Sequence, residues 1–196
     1  MGMQDIRDGK LLYHLTRLDN FDSILEKGLL SRRFVKDNRI SFYDVADSEI
    51  ITKRTLLSLD DYIPFHFHPY SSFDVAVKST YSDTEFIYIC ITRDLARLNK
   101  FKILPKHPLS IEECKLLDYD EGFNKIDWNT MHTLGTNDEY TKHVKMAECL
   151  TNLIIPVTFF KCIYVKSDKT KTDIIKKLKQ KNIQVPPPFV QVQKWF

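Results

Sequence analysis

A short segment near the N-terminus, residues 11–32, constrains the fold more than any other part of the chain. Apolar and polar side chains alternate from Leu11 to Thr16, which predicts a strand with His14 and Thr16 on one face. A helix packed directly behind such a strand would fix the positions of the histidine and the threonine hydroxyl, and a small polar ligand could bind to them. An ordinary half-buried strand with two polar residues is the alternative that the spacing leaves open.

The residues after this strand predict a short helix with clear ends. Phe21, Ile24 and Leu25 recur at helical spacing, so one face of the helix is apolar. Asp19 is a favourable N-cap residue, and Gly28 is the residue type that most often ends a helix. The segment therefore predicts a strand, a helix and a tight exit in immediate succession.

Length and composition predict an ordered globular protein. The chain has 196 residues, of which 43% are hydrophobic, and this is enough to bury a core. We expect a single domain over residues 1–196, with the lysine-rich segment and terminal strand of 166–196 as part of it.

No apolar run is long enough to span a membrane, so we expect a cytoplasmic location. The four cysteines are Cys90, Cys114, Cys149 and Cys162. Because they show no C-x-x-C spacing, we expect them to be reduced thiols.

The rest of the chain predicts a mixture of strands and helices. The run Thr84–Thr92 is β-branched, aromatic and nearly continuous in its apolarity, which is typical of a central strand. Apolar residues at helical spacing predict an amphipathic helix over 168–181. Alternation predicts a last strand over 189–196. The segment 61–69 predicts a strand that its prolines confine to a sheet edge or interrupt.

Basic residues are clustered, although the net charge is only +3. Arg32, Arg33, Lys36 and Arg39 lie close together, and the segment 166–181 is rich in lysine. Such clusters favour an anionic partner, for example phosphates or a nucleic-acid backbone. Lysine-rich helix faces exposed to solvent are the alternative.

One glutamate late in the chain lies in an apolar context. If the segment Val144–Leu150 is a strand, Glu148 shares a face with Val144, Met146 and Leu150. An unpaired buried carboxylate costs several kcal/mol, so such a glutamate must be compensated or must face a cleft. Glu148 is therefore a functional-site candidate, unless the segment is a helix on which its side chain is exposed.

Common catalytic motifs are absent from the sequence. There is no G-x-G-x-x-G, no G-x-x-x-x-G-K-[ST] and no G-x-S-x-G, which argues against Rossmann dehydrogenases, P-loop enzymes and the common hydrolases. His66 and His68 share a strand face, but a third ligand of matching spacing is not evident. The sequence therefore predicts no metal site.

An ordered set of short stretches carries a family resemblance. These stretches are Tyr13-His14-Leu15-Thr16, Asn20, Ile24-Leu25, Gly28-Leu29-Leu30, Ile50 to Arg54, Asp61 to Phe65, Ile126-Asp127-Trp128 and Ala147-Glu148. In order and spacing the sequence resembles the DarT family of DNA ADP-ribosyltransferase toxins, within the diphtheria-toxin-like and poly(ADP-ribose)-polymerase-like transferases. The resemblance implies an α+β fold with a split, mainly antiparallel sheet around an NAD cleft and helices on its flanks.

The resemblance also implies NAD as co-substrate. His14 and Thr16 would hold the nicotinamide and its ribose, and Leu15 would contribute main-chain contacts. Residues expected along the rest of the cofactor are Asn20, Ser23 and Ser31, with Arg54 near its phosphates.

The family pattern implies two catalytic residues. Glu148 would bind the ribose 2′-hydroxyl and stabilise the cation that forms as nicotinamide leaves, which suits an oxocarbenium-like transition state. Arg54 matches the family arginine assigned to proton removal from the target base. Because arginine does not deprotonate in proteins, we expect it instead to orient the NAD phosphates or the target base and to stabilise the anionic form of that base, with hydroxide or a phosphate as the final proton acceptor.

The implied reaction transfers ADP-ribose from NAD to a nucleobase, with thymidine in single-stranded DNA as the first choice. Guanosine, RNA or protein targets are alternatives, and so is a non-catalytic basic module that binds nucleic acid. The loop 134–142 would contact the substrate, with Trp128 and Tyr140 as stacking platforms. The resemblance also implies a macrodomain antitoxin of DarG type, within a toxin–antitoxin or phage-defence system. We expect a monomer.

Overall fold

A computed structural model describes residues 6–46, 48–108, 115–135 and 138–195. Within these ranges the chain has a mixed α+β fold, as the sequence predicts. The strands are β1 (Leu11–Arg17), β2 (Ile63–His66), β3 (Phe86–Thr92), β4 (Lys102–Leu104), β5 (Leu117–Asp118), β6 (Glu148–Thr151), β7 (Cys162–Val165) and β8 (Phe189–Val192). The helices are α1 (Phe21–Lys27), α2 (Arg32–Asp37), α3 (Ser48–Leu56), α4 (Ser72–Thr80), α5 (Arg93–Leu98), α6 (Tyr119–Lys125), α7 (Trp128–His132), α8 (Glu139–Lys145) and α9 (Asp168–Gln180).

The strands form one sheet in the order β5-β4-β6-β2-β1-β3-β7-β8. The pairings are antiparallel except that β7 and β8 run parallel, so the predicted mainly antiparallel sheet is confirmed. β1 and β3 pair at seven consecutive positions, whereas β1 and β2 are in register at a single pair, Tyr13 and His66. The sheet is therefore split between β1 and β2, as the family resemblance implies.

The first unit of the chain folds largely as its pattern predicts. β1 is followed by a short 3-10 helix and then by α1, whose residues Phe21, Ile24 and Leu25 are buried. Gly28 ends α1 with φ 81°, and a Cβ at this position would lie 2.7 Å from the carbonyl oxygen of Ile155. Both the backbone angle and the close approach of a neighbouring segment require glycine here.

The predicted N-cap of this helix is wrong. Asp19 lies inside the 3-10 helix, where its carboxylate accepts hydrogen bonds from Arg17. Asn20 occupies the cap position of α1 without a side-chain capping bond, because its side chain is used elsewhere.

The edge position predicted for the proline-containing strand is also wrong, because β2 lies inside the sheet between β6 and β1. The carbonyl oxygen of Pro64 accepts a hydrogen bond from His14 of β1. Within a strand, the N–H and C=O of one residue point to the same side. The backbone nitrogen of Pro64, which carries no hydrogen, therefore faces the split, where no neighbouring strand needs a hydrogen bond from it.

The strand predicted from Val144 begins four residues later. Asp138 caps α8 by accepting a hydrogen bond from the Thr141 backbone, and this helix continues to Lys145. Glu148 opens β6 and is 3% exposed, so the alternative of a glutamate exposed on a helix is excluded.

The C-terminal segment packs on the same sheet. β8 pairs with β7, and Ile174 and Leu178 of α9 are fully buried in the main core. Cys90, Cys149 and Cys162 are buried free thiols, whereas Cys114 lies outside the described residues. Among the helices that are described, none combines the length and the apolar character needed to cross a bilayer.

Candidate active site

A cleft lies where β1 and β2 stop pairing. It is lined by residues from β1, α1, α3, β2, α4 and β6, and by the segment 40–46. The predicted site residues that line it are His14, Leu15, Thr16, Asn20, Ser23, Arg54 and Glu148. Ser31 is not among the lining residues, because its hydroxyl caps α2 by accepting a hydrogen bond from the Phe34 backbone.

The first side of the cleft, which we call the neutral wall, consists of His14, Thr16 and Asn20. The Nδ1 atom of His14 lies 2.8 Å from the carbonyl oxygen of Pro64. Desolvation lowers the pKa of His14 to about 4, so the imidazole is neutral at physiological pH. Since the carbonyl can only accept, the proton resides on Nδ1 and Nε2 is left as an acceptor.

Asn20 fastens a loop to the neutral wall. Its Nδ2 donates to Thr16 Oγ1 at 3.2 Å and to the carbonyl oxygen of Tyr43 at 3.1 Å, while its Oδ1 accepts from the Tyr43 backbone at 2.9 Å. Arg32 binds Asp44 through two hydrogen bonds of 2.7 and 2.8 Å. The segment 40–46 is thereby held against the cleft at two adjacent residues.

The second side, the charged wall, consists of Arg54 and Glu148. Arg54 Nη1 lies 2.8 Å from both carboxylate oxygens of Glu148, and Nη2 donates to the Leu59 carbonyl at 3.3 Å. The two side chains are 6% and 5% exposed. Burial acts to raise the pKa of Glu148, but the adjacent Arg54 guanidinium outweighs it, so this pKa is below its usual value.

This arrangement suits a reaction in which positive charge develops on a substrate. A fixed carboxylate in a site shielded from water stabilises a cation without having to reorganise. Arg54 neutralises that carboxylate in the unliganded protein and stays protonated, so it cannot serve as a base. The neutral wall adds a histidine acceptor and a threonine hydroxyl within the same cleft.

Two further histidines, His66 and His107, line the cleft, although the sequence did not assign them to it. His66 is directly opposite Glu148 in the β2–β6 register, and its ring is stacked on Phe73 with centroids 6.3 Å apart. Burial lowers the pKa of His107 to about 4, and its ring is stacked on that of His143. The sequence drew attention to His66 only as half of a metal pair, and nothing in its pattern indicated His107.

The two aromatic residues predicted to contact nucleic acid differ in their exposure. Tyr140 is about half exposed, whereas Trp128 packs against Phe67 and Phe123 and donates from Nε1 to the Phe123 carbonyl. Trp128 therefore supports the fold instead of offering a free ring face. In the basic cluster 32–39, Arg32 pairs with Asp44, and Arg33 pairs with Asp60 and Asp61. These ion pairs reduce the local positive charge.

The family follows from comparison with known proteins. A family model described as ssDNA thymidine ADP-ribosyltransferase, DarT, matches residues 13–196. The chain belongs to the DarT family. The family resemblance seen in the sequence is thus confirmed, and the match extends through β8.

Solved DarT structures share this fold. The structure of Thermus sp. 2.9 DarT in complex with ADP-ribosylated ssDNA has a TM-score of 0.79 at 22% identity, covering 94% of each chain. Thermus sp. 2.9 DarT in complex with NAD⁺ has a TM-score of 0.73 at 20% identity, covering 95% of this chain and 96% of that one.

A longer relative comes from Thermosipho africanus (strain H17ap60334). This DNA ADP-ribosyl transferase–DNA ADP-ribosyl glycohydrolase fusion protein is 27% identical over 201 residues, which cover 90% of this chain and 47% of the fusion protein. The chain thus spans about half the length of this DarT relative.

Proposed function

We propose that this chain is an NAD-dependent mono-ADP-ribosyltransferase that modifies thymidine in single-stranded DNA. The observation that carries the proposal is the buried Arg54–Glu148 pair, which faces the neutral wall across the cleft of a DarT-family fold. The solved structures of Thermus sp. 2.9 DarT in complex with NAD⁺ and with ADP-ribosylated ssDNA support the choice of both substrates.

The roles of the cleft residues follow from their chemistry. His14 and Thr16 hold the nicotinamide ribose, and Leu15 acts through its backbone, because its side chain packs on the opposite side of the sheet with Tyr88 and Val77. Asn20 and Ser23 lie along the cofactor. The short hydroxyl of Ser31 remains committed to α2, so we assign it no contact with NAD.

Glu148 is the catalytic carboxylate in this proposal. When NAD enters, the carboxylate exchanges part of its contact with Arg54 for the ribose 2′-hydroxyl. As the bond between C1′ and nicotinamide lengthens, its negative charge stabilises the oxocarbenium-like ribose. Arg54 then turns toward the phosphates or the target base, where a permanent cation is an asset.

We also propose a macrodomain glycohydrolase of DarG type as the functional partner. The transferase and glycohydrolase of the Thermosipho africanus relative are fused in one protein, which supports this pairing. A partner that removes ADP-ribose from DNA would limit the damage caused by the transferase, as expected in a toxin–antitoxin or phage-defence system.

The reaction is tested by incubating the chain with NAD and short oligonucleotides, followed by mass spectrometry. The substrates are single-stranded DNA with thymidine, the same DNA with every thymidine replaced by deoxycytidine, and an RNA of matching sequence. We expect one ADP-ribose mass on the thymidine DNA alone. Glu148→Gln should reduce the rate by about 10²–10³-fold or more, the range for losing one preorganised electrostatic contact.

Glu121→Gln is the matched control, since Glu121 is exposed on α6 and pairs with Lys125 outside the cleft. It should transfer ADP-ribose at the wild-type rate. Modification of the deoxycytidine DNA or of RNA would change the assigned target. NAD cleavage without any labelled nucleic acid would contradict the proposal and direct the search to protein acceptors.

A further inference from the structure

The proposed reaction requires a proton acceptor that the two walls do not supply. Thymine N3 carries a hydrogen, and N3 must lose this proton to form a bond to the ribose. Arg54 stays protonated, and Glu148 is engaged by Arg54 with a pKa below its usual value. The pKa values of His14 and His107 are lowered to about 4, so both imidazoles are weak bases.

His66 differs from these histidines in its environment. It is 7% exposed, lines the cleft, and has no hydrogen-bond partner for Nδ1 among the residues that the structure describes. By contrast, the Nδ1 atoms of His14 and His68 each lie 2.8 Å from a backbone carbonyl, which fixes the position of their proton. No such contact commits the His66 ring to one tautomer.

The cost of burying such an atom indicates a role for it. A buried polar atom without a partner costs about 1–3 kcal/mol, so most proteins avoid it except at functional sites. His66 is held in place by its position on β2 and by the Phe73 ring stacked on it. The ring is therefore fixed in position, while no hydrogen bond at Nδ1 determines which nitrogen carries the proton.

The position of His66 suits a base that acts beside Glu148. His66 and Glu148 face each other across the β2–β6 ladder, on the same side of the sheet. The nucleophile that attacks the ribose must approach the carbon whose charge Glu148 stabilises. A base attached to the neighbouring strand can therefore reach the attacking nitrogen.

We propose that His66 accepts the N3 proton of the target thymine, an inference that rests on the proposed function. The N3–H bond breaks, its proton passes to an imidazole nitrogen, and the electron pair of N3 forms the bond to ribose C1′. The bond between C1′ and nicotinamide breaks with its electron pair moving to the pyridinium ring, which leaves as neutral nicotinamide. The imidazolium returns its proton to solvent after the product departs.

The surroundings can balance the charge that His66 gains. Asp74 of α4 follows Phe73 directly, is buried and lines the same cleft. The charged and titratable groups that line the cleft around His66 are His14 of β1, Arg32 of α2, Asp44, Arg54 of α3, Asp74 of α4, His107 and Glu148 of β6. Three carboxylates and two guanidiniums give this set a net charge of −1, which can offset the positive charge of a proton that His66 accepts during the reaction.

The test measures single-turnover transfer from NAD to single-stranded DNA containing either thymidine or 5-fluorodeoxyuridine, whose N3 proton is more acidic. General base catalysis contributes about 10²–10⁴-fold, so His66→Gln should slow transfer to thymidine by a factor in this range. The loss should be clearly smaller for 5-fluorodeoxyuridine, because a more acidic nitrogen needs less help. The affinity for NAD should not change.

Three further variants complete the design. His66→Asn repeats the experiment with a different amide side chain, and added imidazole should partly restore His66→Ala. His68→Gln is the matched control, because His68 is two residues away, is bonded to the Pro69 carbonyl and does not line the cleft. It should retain the wild-type rate with both bases.

Two outcomes distinguish this inference from the proposed function. If the wild-type chain modifies neither base, the proposed function fails, and the role of His66 fails with it. If the wild-type chain modifies both bases and the His66 variants slow both by the same factor, or not at all, the role of His66 alone is overturned.

Discussion

The two walls of the cleft are built in opposite ways. The neutral wall comes from His14, Thr16 and Asn20, which are close in sequence and make uncharged hydrogen bonds, His14 to the Pro64 carbonyl and Asn20 to Thr16. The charged wall joins Arg54 and Glu148, which are 94 positions apart in the chain and form a buried ion pair. The residues of the first wall all come from one strand and the turn after it, whereas the second exists only when α3 and β6 have come together. We therefore expect the two walls to respond differently to substitution and to pH.

The largest loss of stability is expected when one member of the charged wall is replaced by an apolar residue. Arg54→Met leaves the Glu148 carboxylate buried without its counter-charge, and removing one member of a buried pair typically costs about 3–5 kcal/mol. Urea denaturation should show a loss of this size in the free energy of unfolding. Arg54→Met combined with Glu148→Leu should recover most of it, because no charge then remains buried. A loss below about 1 kcal/mol for the single variant would contradict this account.

The neutral wall should be sensitive to acid. His14 has a pKa of about 4 in the folded chain against the ordinary value of 6.5, so between these pH values the unfolded chain binds more protons. The free energy of unfolding should therefore fall as the pH drops from about 6.5 toward 4. His14→Gln should reduce this slope by up to about 1.4 kcal/mol per pH unit. Above pH 6.5 the two slopes should coincide, and an unchanged slope between pH 4 and 6.5 would refute the prediction.

The smallest loss of stability is expected when the hydrogen bonds between the neutral wall and the segment 40–46 are removed. Asn20→Ala removes the hydrogen bonds to Thr16 and Tyr43, each of which contributes about 1 kcal/mol. Thermal unfolding should show a modest loss of stability, and calorimetry should show weaker NAD binding. Asn38→Ala is the control, because the Asn38 amide makes one exposed bond to the Phe34 carbonyl. Equal effects of the two substitutions would mean that the loop does not depend on Asn20.

The same contrast explains which parts of the molecule the sequence could predict. β1, α1 and the end at Gly28 follow from local periodicity and residue type, and all three are present. The α+β class and the split sheet were implied by the order of family stretches rather than by any single pattern. The pairing of Arg54 with Glu148 depends on the long-range packing of α3 beside β6, which periodicity does not encode, and so the sequence named both residues without placing them in contact.

Local rules failed where a side chain had a partner that its own periodic pattern did not indicate. Asp19 would be a good cap, but Arg17 beside it binds its carboxylate, and Asn20 uses its amide on Tyr43. Val144 fits a strand pattern, yet the cap supplied by Asp138 extends α8 through it. The sequence marked His66 only as half of a possible metal pair and did not mark His107, because their positions in the cleft depend on the strand and loop that the fold brings beside Glu148.

The single register pair between β1 and β2 has a consequence for how this protein behaves at high concentration. A gap inside a sheet exposes backbone donors and acceptors to which an extended chain from another molecule could add, and such additions seed aggregates. At Pro64 the ring removes the donor, and His14 already occupies the carbonyl acceptor. The split between β1 and β2 is thus closed to a foreign strand at Pro64, so the protein keeps its cleft without offering a template for self-association there.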